Sequence, residues 1–135
     1  MKKSTVIHTS GFRKTAIARA TLKPGSGKFS INNVSLTKWG NEVNRLKILE
    51  PLLLSEGVDK TVDIAVNVEG GGPTSQADAI RLSVAKALNE FTKDKLRETY
   101  LSFDRNLIVA DVRHRESRKP NCCGKARSKR QKSYR

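Results

Sequence analysis

The sequence predicts an α/β (α+β) two-layer sandwich, a mixed sheet with helices on one face, followed by an extended basic C-terminal arm. Three observations carry this. Residues 15–22 and 62–69 alternate with the period of two that suits half-buried strands. Residues 41–53 and 75–91 repeat apolar side chains at helical spacing. From Asp111 onward the apolar pattern stops and Lys and Arg take over. The chain therefore divides into a globular α/β domain, residues 1–110, and a basic arm, residues 111–135. The roughly 110 residues ahead of the arm are enough for one core of two layers and too few for two.

The opening strand stretch places Ala16, Ala18, Ala20 and Leu22 on one face and Thr15, Ile17, Arg19 and Thr21 on the other. Such small residues favour close packing. Pro24-Gly25-Ser26-Gly27 is a turn signal and Lys28-Phe29-Ser30-Ile31 alternates again, so a β-hairpin joining residues 15–22 to 28–31 is the simplest reading. Asn32-Asn33 tolerates left-handed backbone angles and punctuates the return before Val34-Ser35-Leu36. From Asn41, the residues Val43, Leu46, Ile48, Leu49, Leu52 and Leu53 fit one broad helical face. Pro51 predicts a kink or break near Glu50, because a proline pushes its predecessor out of the helical region.

The clearest strand comes next, with Val62, Ile64, Val66 and Val68 facing one way and Asp63, Ala65, Asn67 and Glu69 the other. Gly70-Gly71-Gly72-Pro73 leads into a helix for which Ser75 is the expected N-cap, with Asp78 as its capping-box partner and Ala77, Ile80, Val84, Ala87, Leu88 and Phe91 as its inward stripe. A more charged helix is expected over residues 93–101, and Leu107-Ile108-Val109-Ala110 anchors the arm to the body.

Charge narrows the function. The chain carries 27 Lys and Arg against 13 acids, a net of +14, and the arm alone holds ten Lys or Arg and two acids. A modestly basic body with a strongly basic extension is the profile of a polyanion binder. The arm cannot bury enough apolar surface to offset its ordering entropy, so it should gain structure on a partner. No apolar run approaches a bilayer-spanning length, and the first ten residues lack a signal peptide's apolar core. A cytoplasmic location is the expectation. Cys122 and Cys123 are adjacent, which suits neither a disulfide framework nor paired zinc ligands.

Nothing assembles a catalytic site. His8 and His114 stand apart from any cysteine or carboxylate pair, and Asp78 reads most simply as a carboxylate at a helix N-terminus. Gly70-Gly71-Gly72 supports two readings: backbone amides offered to a phosphate ahead of a helix, or a tight turn that only glycine permits. The motif lacks the Lys-Ser/Thr of a nucleotide-binding loop. Arg13, Lys14 and Arg19 form a second basic cluster. A small phosphate-binding enzyme and a free nucleic-acid-binding regulator are the competing classes.

Four segments together resemble one family, the ninth protein of the small ribosomal subunit in its archaeal and eukaryotic branch. They are Gly11-Phe12-Arg13-Lys14-Thr15-Ala16-Ile17-Ala18-Arg19-Ala20; Leu49-Glu50-Pro51-Leu52; Gly70-Gly71-Gly72 with Gln76-Ala77 and Ala79-Ile80-Arg81; and Arg130-Gln131-Lys132-Ser133-Tyr134-Arg135. The resemblance implies a left-handed βαβ crossover within the sandwich, an exception to the usual handedness. It implies a non-catalytic structural component of the small-subunit head, with small-subunit ribosomal RNA, the peptidyl-site tRNA and neighbouring head proteins as partners. No membrane, small-molecule substrate, metal or cofactor is implied.

On this resemblance, Arg13, Lys14, Arg19, Gly70, Gly71, Gly72 and Gln76 of the body face ribosomal RNA, with Arg113, Arg115, Arg118, Lys119, Lys125 and Arg127 of the arm. Lys129, Arg130, Lys132, Tyr134 and Arg135 approach the tRNA anticodon arm. Three positions depart from the family pattern. Phe12 stands where a basic residue is usual, favouring stacking or packing there; Ser75 replaces a common glycine; Val112 replaces a proline at the exit of the arm.

Overall fold

Residues 6–127 are described by a computed structural model. Strands β1 (Ile7–Arg13), β2 (Ala16–Pro24), β3 (Phe29–Ile31), β4 (Val34–Ser35) and β5 (Val62–Glu69) form one sheet, in the order β1-β2-β5-β3-β4. Helices α1 (Glu42–Leu53), α2 (Pro73–Phe91) and α3 (Arg97–Phe103) complete the fold. The strands show why there are two layers. Ala16, Ala18, Ala20 and Leu22 are buried together with Val62, Ile64, Val66 and Val68, while Ile17, Arg19, Ala65, Asn67 and Glu69 on the other face are exposed. Helices cover one face only, which is the α+β sandwich expected.

The expected hairpin between residues 15–22 and 28–31 does not form. β2 pairs antiparallel with β1 and with β5, and β3 pairs parallel with β5. The long apolar strand β5 thus inserts between two segments that a short turn joins. Asp63 fastens that turn, accepting hydrogen bonds from the Ser26 amide at 2.8 Å and the Lys28 amide at 2.9 Å. The true hairpin is β1/β2, in which Arg13 faces Ala16 and Lys14 takes a left-handed φ of 55°.

The reading of Asn32-Asn33 holds. Both residues have positive φ, and Ile31 pairs with Val34 across this two-residue turn. Asn32 also extends the sheet with its side chain: its amide donates to the Val68 carbonyl at 3.0 Å and accepts from the Val68 N–H at 2.9 Å. The parallel β3/β5 pair is joined through β4 and α1, a βαβ connection.

Four helix expectations need correction, the first being the broad apolar face of α1, of which Val43, Leu46 and Leu53 are exposed because the helix packs through Asn44, Ile48 and Pro51. Pro51 lies inside α1 without breaking it, because the helix runs only two residues further and its missing N–H costs one bond near the end. The Pro51 carbonyl, near the helix terminus, accepts instead from the buried Tyr100 hydroxyl at 2.9 Å. Helix α2 begins at Pro73 with Gly72 as N-cap, so neither Ser75 nor Asp78 forms the expected capping box. Proline at the first helical position has no N–H to leave unsatisfied. The third helix spans Arg97–Phe103 and not 93–101, because Lys93 and Asp94 adopt left-handed angles that end the preceding helix.

The core lies between the sheet and α2, whose Ala77, Ile80, Val84, Ala87 and Leu88 are fully buried as the stripe predicted, while Phe91 at its end is half-buried against the core. Ala79, Ser83 and Ala85 are buried as well, so α2 is enclosed on more than one side. Arg81 ties the helical layer together, pairing with Asp104 at 2.8 Å and Glu50 at 2.5 Å. Leu107 is fully buried and anchors the segment that leads into the arm.

Candidate nucleic-acid interface

The β1/β2 turn and the root of the arm meet at one end of the sandwich. Arg13, Lys14, Thr15, Arg113, His114 and Arg115 line a cleft of about 570 Å³ there. Its geometry follows from two contacts between β1 and the arm. Arg13 Nη1 lies 2.9 Å from Asp111 Oδ2, and the ring of Phe12 stacks on that of His114 with centroids 6.2 Å apart and planes 14° from parallel. An aromatic at position 12 therefore packs against the arm.

Asp111 organises the cations. Arg113 donates from Nη2 to Asp111 Oδ2 at 2.6 Å and from Nε to Oδ1 at 3.0 Å, and its backbone N–H reaches Oδ1 at 2.9 Å. Hydrogen bonds from Arg113, assisted by the charge of Arg13, hold the Asp111 carboxyl well below the usual carboxylate range. Two carboxylates, Asp111 and, 3.9 Å from Arg13 Nε, Asp78, meet the four cationic side chains of the cleft, so the cleft keeps a net positive charge. Arg13 is mostly turned inward, whereas the Arg113 side chain is 81% exposed.

The glycine loop borders this cleft. A Cβ on Gly70 would sit 2.6 Å from the carbonyl oxygen of Thr15, and one on Gly71 would sit 2.9 Å from the Cβ of Ala16. Both glycines have positive φ, so close approach to the β1/β2 turn requires them. Gly72 meets nothing within 4 Å. Gln76 closes the loop by donating to the Gly70 carbonyl at 3.0 Å. Ahead of α2, the amides of Thr74 and Ser75 lack intrahelical acceptors, since the first helical bond runs from Gln76 N–H to the Gly72 carbonyl.

Arg13, Lys14, Gly70, Gly71, Gln76, Arg113 and Arg115 are thus gathered at one end. Arg19 is not among them: it pairs with Glu69 at 2.6 Å on the open face of the sheet. Arg118, Lys119, Lys125 and Arg127 belong to a turn further along the arm. That turn is closed by the Lys119 N–H to Lys125 carbonyl bond at 3.2 Å and by a paired Arg127–Glu116 contact, with Arg127 Nε 2.9 Å from Glu116 Oε2. Cys122 and Cys123 are free thiols within it, and Cys123 has a left-handed φ of 51°. From Asp111 to Arg127 the arm therefore runs without helix or strand, and it turns back between Lys119 and Lys125. Lys129, Arg130, Lys132, Tyr134 and Arg135 lie outside the described residues.

Sequence reasoning missed Thr15, Asp111 and His114 as parts of the site. Only Phe12, an aromatic in a basic stretch, hinted at the last. Among the described residues no helix is long and apolar enough to cross a membrane, and no three His, Cys, Asp or Glu side chains are grouped to hold a metal ion.

Residues 11–135 match the family described as ribosomal protein S9/S16. This chain belongs to that family. The match starts at Gly11 on β1 and takes in the cleft, the glycine loop and the whole arm. Among its relatives, small ribosomal subunit protein uS9 of Methanococcus maripaludis is 47% identical over 132 residues, covering 96% of this chain and 98% of that protein. The uS9 of Picrophilus torridus is 49% identical over 126 residues, covering 93% and 94%. That of Methanothrix thermoacetophila is 46% identical over 131 residues, covering 96% and 98%. The four motifs pointed to the archaeal and eukaryotic branch of the family, and these relatives are archaeal.

Proposed function

We propose that the chain is a structural, non-catalytic constituent of the cytoplasmic small ribosomal subunit, acting in translation. In this reading the body binds ribosomal RNA and the arm reaches the peptidyl-site tRNA. The observation that carries it is the convergence of the β1/β2 turn, the glycine loop and the arm root on one basic cleft, in a chain that matches the family nearly end to end. Lys14, Arg113 and Arg115 offer cations to phosphates, and Gly70 to Gly72 with Gln76 set backbone amides beside them. Arg13 contributes by holding the arm root through Asp111. Arg19 serves the open sheet face, and Arg118, Lys119, Lys125 and Arg127 serve the turn of the arm. Residues 1–110 act as the packed unit and residues 111–135 as the arm it aims.

Beyond the turn, Lys129, Arg130, Lys132, Tyr134 and Arg135 supply the tRNA contact. A body fixed on RNA brings these groups to phosphates that a free basic coil would find only by search, and a guanidinium such as Arg135 binds phosphate bidentately. Deleting residues 129–135 should leave the unfolding transition of the protein unchanged and speed tRNA dissociation from the peptidyl site of purified small subunits. Unchanged dissociation would remove the arm's role. For the cleft, affinity for a ribosomal RNA fragment should fall steeply with salt, and Arg115→Gln should flatten the log–log slope by about one. A slope that does not move would exclude Arg115 from phosphate contact.

A further inference from the structure

The arm root carries an aromatic pair that a cleft for phosphates alone does not need. Phe12 lies near the end of β1, and its ring and that of His114 are 14° from parallel with centroids 6.2 Å apart. The two rings have different surroundings. His114 is exposed and lines the basic cleft, whereas Phe12 is half-buried and lines a second cavity with Asp78, Arg81, Leu82 and Asp111. Phe12 thus backs the His114 ring from the side away from the cleft, and the open side of that ring is part of the cleft wall.

That wall stands among cations. Lys14, Arg113 and Arg115 are exposed at the cleft. Arg113 is held by Asp111, while Lys14 and Arg115 take part in no ion pair among the described residues. The cleft's volume of about 570 Å³ falls within the roughly 300–1,000 Å³ of pockets that take small organic ligands. A duplex keeps its bases stacked inside the helix and offers its backbone and groove edges, whereas an unpaired nucleotide offers a planar base together with a phosphate. A ring face beside unpaired cations suits the second. An acidic peptide would use the cations but leave the ring without a flat partner.

We propose that the cleft at the arm root binds an unpaired nucleotide of RNA, its base stacked on the open face of His114 and its phosphates held by Lys14 and Arg115. The inference rests on the RNA-binding reading and adds to it the form of RNA that this site takes. Phe12 is a positioning residue. An unbraced histidine on an extended arm would lose side-chain freedom on stacking, and contact with the Phe12 ring removes part of that loss in advance. Phe12 stands where the family pattern has a basic residue, so this chain has a braced ring in place of a charge.

Proton NMR on the full chain tests it, because His8 and His114 are the only two histidines and His8→Gln leaves the His114 ring signals by themselves. The probes are a short single-stranded oligoadenylate, an abasic strand of the same length and charge, an RNA duplex and polyglutamate. Oligoadenylate should move the His114 ring protons upfield through the ring current of the stacked base, and the other three should not. His114→Ala should lower the preference for oligoadenylate over the abasic strand about tenfold. Phe12→Lys should lower that preference as well, whereas a cleft that binds phosphates alone would hold both strands more tightly and keep the preference unchanged. No upfield shift with oligoadenylate, or an equal shift with the abasic strand, the duplex or polyglutamate, overturns the stacking site. Steeply salt-dependent binding of both strands would then leave the RNA-binding reading standing, and binding of neither overturns both.

Discussion

At Gly11 strand β1 lies directly against the backbone of α2. A Cβ there would lie 2.4 Å from the Ala79 carbonyl oxygen and 2.7 Å from the Ser83 nitrogen, both backbone atoms of α2 that cannot swing aside. Thr9, two residues earlier on the same strand, donates its hydroxyl to the Ser83 carbonyl at 2.8 Å. The small residues of α2, Ala79 and Ser83, make the matching half of this contact. Gly11→Ala should therefore cost about 3 kcal/mol, the range of an overpacked core, read as a lowered urea midpoint. A change below about 0.5 kcal/mol, the scale of neutral surface substitutions, would show that the strand and helix are not in such close contact. The sequence marked Gly11 only as part of a motif, since a glycine by itself does not say whether it is needed for a turn, for space or for neither. His114 was illegible for the same kind of reason: its partner, Phe12, is about a hundred residues away along the chain.

At the level of elements, period-two and helical patterns were legible wherever one face of the element meets the core. The alternations at Ala16 to Leu22 and Val62 to Val68, and the stripe from Ala77 to Leu88, are buried as read. Helix starts were less legible, because several residues near the start of α2 are all plausible caps. With Gly72 as N-cap and Pro73 following, Ser75 sits inside the first turn. Ser75→Ala should change stability by less than about 0.5 kcal/mol, where loss of a true cap costs about 1 kcal/mol. A thermal shift matching the larger figure would restore Ser75 as the cap. The face of α1 illustrates the opposite failure. Its apolar residues predicted one buried stripe, but only Ile48 is fully buried, Leu49 and Leu52 are half-buried against the core, and Val43, Leu46 and Leu53 are exposed, because the helix packs on its neighbours through a narrower face centred on Asn44, Ile48 and Pro51.

Across the whole molecule, carboxylates hold connections that local packing does not. Lys28 and Ser26 amides keep Asp63 below the usual carboxylate range, fastening the turn before β3. At Asp104 burial pulls upward, but the Asn106 amide and Arg81 outweigh it and the net shift is downward. Asp111 is held low by Arg113 and Arg13 at the arm root. A depressed carboxylate adds stability that is fully present above its unfolded pKa of about 3.9 and lost as pH falls through its folded value. The urea midpoint should hold between pH 7 and 5 and drop below about pH 4, with the growing positive charge acting in the same direction. An equal midpoint at pH 3 and pH 7 would show that these ties carry no stability. The sequence by itself determined the two-layer class, the strand and helix faces, the Asn32-Asn33 turn and the basic arm, because each is written in neighbouring side chains and their periodicity. Only the tertiary structure decided that β5 separates β2 from β3, that Asp111 and His114 join Arg13 and Phe12 to shape the cleft, and that α1 leaves Leu46 and Leu53 exposed while Leu49 and Leu52 pack on the core. Those outcomes depend on which distant surfaces meet, a competition between whole faces that no local pattern records.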